Sequence, residues 1–169
     1  MGELKWLDGY SGQTTEELIA LEGEYRTDSL VLAFEQVLQE KAERVGSDGL
    51  TEEEHIVLAI EALEREVNNG GYDQLFFNSS NQYTHLFVSA LRRIGCSDTA
   101  DLTQQAIDTL GIEGPITVEA IERVMEDEDE EREERLCECD ERYYEVAGDL
   151  SGPLFDFIKS NSTKITVKG

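Results

Sequence analysis

Apolar residues return at intervals of three and four in almost every segment of this chain, and a stretch with that period buries them along one side only as a helix. Leu30, Phe34, Val37, Leu38 and Val45 form one stripe, and Ile56, Ile60, Leu63 and Val67 form the next. Tyr83, Phe87, Ala90, Leu91 and Ile94 mark a further helix, followed by Leu102, Ala106, Ile107 and Leu110. A last long helical region carries Ile121, Val124 and Met125; beyond an acidic run its stripe resumes as Leu136, Cys139, Tyr143, Val146 and Leu150. Leu154, Phe155, Phe157 and Ile158 predict a short terminal helix. Only the tail Lys164-Ile165-Thr166-Val167-Lys168 alternates like a strand. It has no evident partner, so its order is left open.

Starts and stops agree with this division. Thr14-Thr15-Glu16-Glu17 and Thr51-Glu52-Glu53-Glu54 have the form of capping boxes, in which a Thr oxygen and a Glu carboxylate satisfy the orphan amides of a helix start. The first opens a short helix to about Gly23, and Thr117 caps the last long one. Gly46, Gly95, Gly111, Gly148 and the pair Gly152-Pro153 supply stops. We expect an all-α fold: a compact multi-helix domain over 27–160 with an N-terminal helical extension over 1–26 and a C-terminal tail over 161–169.

Charge narrows the function. Thirty-eight acidic against 14 basic residues give a formal net charge of −24. Such a field repels nucleic acid and anionic membrane surfaces and attracts basic proteins. Direct nucleic-acid binding is therefore not expected. Nor is a membrane: no stretch reaches the roughly 20 apolar residues that span a bilayer. The N-terminus lacks an apolar run of signal-peptide length, and a cytoplasmic protein is expected.

The densest charge is in Glu126, Asp127, Glu128, Asp129, Glu130, Glu131, Glu133, Glu134, Glu138, Asp140 and Glu141, relieved only by Arg132 and Arg135. As one helix this run would carry a charge per roughly 2.7 Å at about 1.5 Å per residue. Duplex DNA carries one per about 1.7 Å and a single strand one per about 3.4 Å. A surface built to grip phosphates could grip this one, and these eleven residues are the candidate partner-binding set. The alternative is a self-repelling solvated face.

No catalytic set stands out. There is no Gly-rich phosphate loop, no nucleophile elbow and no metalloprotease helix motif. Asp127-x-Asp129-x-Glu131 lacks the Gly and spacing of a calcium loop. Cys137-x-Cys139 has no second ligand pair, so no metal or cofactor is expected. Cys139 reads as a core residue and Cys137 as a partly exposed thiol; Cys96 completes an odd set that closes no disulfide framework. His55 reads as a surface residue, and His85, beside the aromatic cluster, as a partly buried one. A carboxylate-rich metal hydrolase has no ligand pattern behind it.

One motif is more specific. Glu64-Arg65-Glu66-Val67-Asn68-Asn69-Gly70-Gly71-Tyr72-Asp73-Gln74-Leu75-Phe76-Phe77-Asn78-Ser79 ends a helix on residues that tolerate left-handed backbone, then sets down a dense aromatic patch. Asn68, Asn69, Gly70, Gly71, Tyr72, Gln74, Phe76, Phe77 and Asn78 are its structural residues, and the patch is expected at the centre of the core. The run resembles the hallmark of a bacterial family of acidic DNA-mimic proteins, and Ala90-Leu91-Arg92-Arg93-Ile94-Gly95 fits that family too, with Cys96 in place of its usual small residue. The resemblance is firmest over 50–111. It implies a helical domain, paired as a homodimer, that presents carboxylates in place of phosphates to a basic DNA-binding protein, a transcription factor or nucleoid protein. The competing expectation is an immunity-type or regulatory module that neutralises one protein partner by shape, without mimicry.

Overall fold

The computed structural model describes residues 2–167. Among these residues eight α-helices follow one another: α1 (Thr15–Ile19), α2 (Thr27–Val45), α3 (Glu52–Phe77), α4 (Thr84–Arg93), α5 (Ser97–Asp108), α6 (Val118–Met125), α7 (Glu130–Val146) and α8 (Ser151–Ser160). Single 3-10 turns cover Ser47–Gly49, Ser79–Tyr83 and Ser162–Lys164. Among the described residues there is no β-strand; an isolated bridge joins Lys5 to Tyr25. The all-α expectation holds.

The chain divides into two compact units, residues 1–61 with 150–169, and residues 62–149. The described residues of both terminal segments, 2–26 and 161–167, fall in the first unit. α2 packs on α8, with Leu30, Phe34 and Leu38 on one and Leu154, Phe155 and Ile158 on the other buried. Thr14 caps α1 by accepting from the Glu17 amide at 3.1 Å, though α1 ends at Ile19 and turns carry the chain on to Gly23.

The tail is ordered through Val167. Thr15 Oγ donates to the Ile165 carbonyl at 2.5 Å and Thr51 Oγ to the Lys164 carbonyl at 2.7 Å. Lys41 Nζ reaches the Thr166 carbonyl at 2.8 Å. Ile165 and Val167 are buried, and the segment pairs with side chains rather than with a second strand. Lys168, the last residue of the expected strand, lies outside the described residues. The Thr51 capping box forms in full: Thr51 N–H donates to Glu54 Oε1 at 2.8 Å and Glu54 N–H to Thr51 Oγ at 3.1 Å. The fully buried Glu54 also pairs with Lys41 Nζ at 2.6 Å and accepts from the Thr166 amide at 3.2 Å. One carboxylate thus serves as helix cap, ion pair and tail anchor.

The second unit contains the motif. Helical backbone breaks where it was expected to, within Asn68–Gly71: Gly71, at φ +79 and ψ −178, is non-helical and kinks the element, and helical backbone resumes through Phe77. The kink frees the Tyr72 amide, which donates to Asp140 Oδ1 of α7 at 2.8 Å. Tyr72 and Phe76 are fully buried, with ring centroids 6.2 Å apart, and Tyr72 meets Tyr143 of α7 edge-on at 5.9 Å. Tyr72 Oη and Thr103 Oγ1 share a hydrogen bond of 2.9 Å. α5 packs against both α4 and α7, and the 79–83 turn against α4 and α6.

Four residues expected inside lie outside. Val45 and Val146 end their helices on the solvent side of the stripe, and His85 is exposed on the first turn of α4. Phe77 is 68% exposed, because the Gly71 kink offsets the helical register and turns Phe76, not its neighbour, inward. Val124 and Met125 are half-buried, leaving Ile121 as the buried residue of α6.

Gly71 is where a side chain would be strained: its φ is positive, and a Cβ there would strike the Asp140 carboxylate. Gly71→Ala should therefore lower stability by about 2–4 kcal/mol in urea unfolding, from the left-handed backbone and the lost Asp140 contact together. Phe76→Ala should cost about 3–5 kcal/mol as a core cavity, whereas Phe77→Ala should change stability by about 0.5 kcal/mol or less. Equal losses at Phe76 and Phe77 would contradict the kinked register.

Candidate functional site

The acidic run is not one helix. α6 ends at Met125, the chain turns through 126–129, and α7 begins at Glu130 with Asp129 as its N-cap, accepting from the Arg132 amide at 3.1 Å. The physical cause is Arg132. It occupies the stripe position one turn before Leu136, is 7% exposed, and donates through Nη2 to the Asp127 carbonyl at 2.7 Å. A buried guanidinium that holds a carbonyl beyond the end of α6 fixes the turn between the two helices.

Beyond the turn, Arg132, Leu136, Cys139 and Tyr143 are buried at spacings of four, three and four, and they anchor α7 along one side. Between them every residue but Asp140 faces solvent. Ten of the eleven candidate carboxylates are exposed: Glu126, Asp127, Glu128, Asp129, Glu130, Glu131, Glu133, Glu134, Glu138 and Glu141. Asp140 is the exception, since it is half-buried and its carboxylate is taken by the Tyr72 amide. Burial pushes the Asp140 carboxyl above its usual range, against the pull of that amide. Asp140 therefore belongs to the scaffold and leaves the candidate partner-binding set.

Glu145, outside the expected run, is exposed on the same helix. On α7 alone seven exposed carboxylates, Glu130, Glu131, Glu133, Glu134, Glu138, Glu141 and Glu145, line a helix. From first to last they span about 22 Å at 1.5 Å per residue, roughly one per 3–4 Å. That is the charge spacing of a single nucleic-acid strand, about 3.4 Å, rather than a value between single strand and duplex. Three of the seven stand in the first turn, where the helix dipole favours negative charge. Arg135 pairs with Glu131 at 2.5 Å in the open, a contact of little energetic weight.

The motif also holds a polar cluster that sequence reasoning did not identify. Buried Glu66 accepts from Gln74 Nε2 at 2.8 Å, Asn78 Nδ2 at 3.1 Å and Ser80 Oγ at 3.0 Å. Gln74 and Asn78, structural residues of the motif, share the task of holding Glu66. Asn81 Nδ2 in turn donates to the Phe76 carbonyl at 3.1 Å. Asn68 and Asn69 are exposed, and Tyr143 Oη donates to Glu64. Invariable helical spacing between Glu66 and its donors would have revealed the cluster, but Gly71 breaks that spacing.

The thiols lie as expected, Cys137 exposed and Cys139 buried, with Cys96 half-buried. Burial raises the Cys139 and Cys96 thiols above the ordinary range, which keeps them protonated. Among the described residues no group of three His, Cys, Asp or Glu is placed to hold a metal. No helix among them is long and apolar enough to cross a membrane.

Residues 48–161, well over half of the chain, match the family described as DMP19-like protein. The chain belongs to that family. The match runs from the 3-10 turn before α3 to the end of α8, and so contains the kinked motif, the 126–129 turn and α7. No curated protein and no solved structure matches the chain.

Two outcomes follow from this chemistry. Burial pushes the Glu66 carboxyl up, but hydrogen bonds from Gln74, Asn78 and Ser80 outweigh it and hold the group below its ordinary 4.5. A depressed folded value stabilises the protein above pH 4.5, and that contribution is lost as the pH falls through the folded value. Glu66→Gln should cost about 1–3 kcal/mol at neutral pH, and the gap to the unsubstituted protein should narrow below that point in pH-resolved melting. Chelators should leave the circular dichroism and melting curve unaltered, and stoichiometric zinc in untreated protein would overturn the reading of Cys137 and Cys139.

Proposed function

We propose that this protein binds a basic DNA-binding protein, a transcription factor or nucleoid protein, and occupies its DNA-binding surface with carboxylates in place of phosphates. The reading rests on one observation. A stripe of four buried residues fixes α7, so its exposed carboxylates repeat along the helix at about the charge spacing of a nucleic-acid strand. The net charge of −24 adds long-range attraction for a cationic partner and repulsion for DNA itself. The likeness of the Asn68–Phe77 motif to DNA-mimic proteins supports the same reading. The protein acts by binding, and no catalytic step is part of the proposal.

Charge on a rigid helix differs from charge spread over a surface, and this sets the test. Neutralising Asp127, Glu130, Glu133, Glu134 and Glu138 to Asn or Gln spares the stripe, the Asp129 cap and Asp140. The control neutralises five exposed acids of the first unit, Glu3, Asp8, Glu16, Glu43 and Asp48. Partners captured from native lysate at low salt should include basic DNA-binding proteins that duplex DNA displaces. The first variant should bind them about tenfold or more weaker, about 1.4 kcal/mol, with a flatter dependence on salt. The control should lose little. Equal losses in both would assign the effect to global charge and overturn the site.

A further inference from the structure

Where the acidic turn meets the motif, the second unit has a hollow lined by Phe76, Phe77, Glu122, Met125 and Glu126. Its floor is apolar: Phe76 is buried, Met125 is half-buried and Phe77 leaves two thirds of its surface open. Its rim is acidic, since Glu122 and Glu126 are both exposed. Glu126 is also the first residue of the carboxylate run, so hollow and acidic surface are continuous.

The volume, about 260 Å³, falls below the roughly 300–1,000 Å³ of sites that enclose small molecules and cofactors. A single side chain is what such a space accommodates. A free hydrophobic ligand would gain nothing from the carboxylate rim, and an anionic one would be repelled by it. An apolar side chain flanked by cations satisfies both parts, the floor by contact and the rim by charge. This is the arrangement of an interface hot spot, an anchor in a desolvated pocket ringed by polar contacts.

We propose that the Phe77 hollow receives one large apolar side chain, leucine, methionine or phenylalanine, carried on a lysine- or arginine-rich segment of the basic partner. The inference rests on the reading of the acidic face as the surface for that partner and adds what the charges alone do not supply. Carboxylate contacts steer and hold any polycation, whereas the hollow selects among them by the residue placed between the charges. The register is set by Glu126, which places the anchor beside the start of the run.

The probes are a lysine-rich peptide with one central leucine and its counterpart with serine at that position, measured by fluorescence anisotropy at low salt. The leucine peptide should bind the unsubstituted protein about tenfold tighter than the serine peptide. In Phe77→Ser that preference should vanish while the serine peptide binds as before. Residue 125 is one of only two methionines, so its methyl resonance reports the site directly, and it should shift with the leucine peptide alone. Equal affinities of the two peptides for the unsubstituted protein, or a preference that survives in Phe77→Ser, would overturn the hollow's role while leaving the acidic face intact. If neither peptide bound, the reading of the acidic face would fail and the anchor with it.

Discussion

At Gly71 one residue in left-handed backbone separates two helical runs, and the amide this exposes, that of Tyr72, is accepted by Asp140 at 2.8 Å. The bend would otherwise leave a part-buried N–H without a partner, a cost of about 1–3 kcal/mol. Asp140 removes that cost and bears one of its own, since burial raises its carboxyl. The exchange fixes more than a turn. It settles which side of α7 faces the motif, places Tyr143 edge-on to Tyr72, and leaves the neighbouring carboxylates on the side that solvent reaches. The acidic helix is oriented by the one carboxylate it does not display.

This coupling explains what was legible in the sequence. Stripes of period three and four gave the helices, and the Thr14, Thr51 and Thr117 caps gave three of their starts, because both signals are local. The Asn68–Gly71 cluster announced a break but not its form. Asn and Gly permit a stop, a turn or a kink, and which one occurs depends on Asp140, 69 residues beyond Gly71. The consequences of the kink were hidden with it. Phe77 was grouped with Phe76, and the donors converging on Glu66 look unrelated when spacing is counted through an unbroken helix.

The remaining differences have the same origin in contacts without a periodic signature. The tail is held by Thr15, Lys41, Thr51 and Glu54, mainly through its backbone atoms, so an alternating pattern suggested a strand where side chains of three other segments do the pairing. The acidic run read as one rod because a charged residue at a stripe position, Arg132, was counted as relief for its neighbours' charge. Buried, it holds the Asp127 carbonyl and divides the run into a turn and a helix. Arginine is the residue that combines a long stem able to lie in a core with several donors at its tip.

That division decides how the carboxylates behave as a binding surface. A flexible acidic tail could carry the same charge, but ordering it against a partner would cost about 1–2 kcal/mol of backbone entropy per residue fixed. On α7 that cost is already met in folding, through the burial of Arg132, Leu136, Cys139 and Tyr143, so association has only the glutamate side chains left to order. The arrangement also has a disadvantage: like charges held one turn apart repel whether or not a partner is present. The dipole at the N-terminal turn offsets part of this, and a cationic surface laid along the helix would remove much of the rest. Repulsion that the free protein must tolerate thereby becomes a contribution to affinity, and one that salt diminishes.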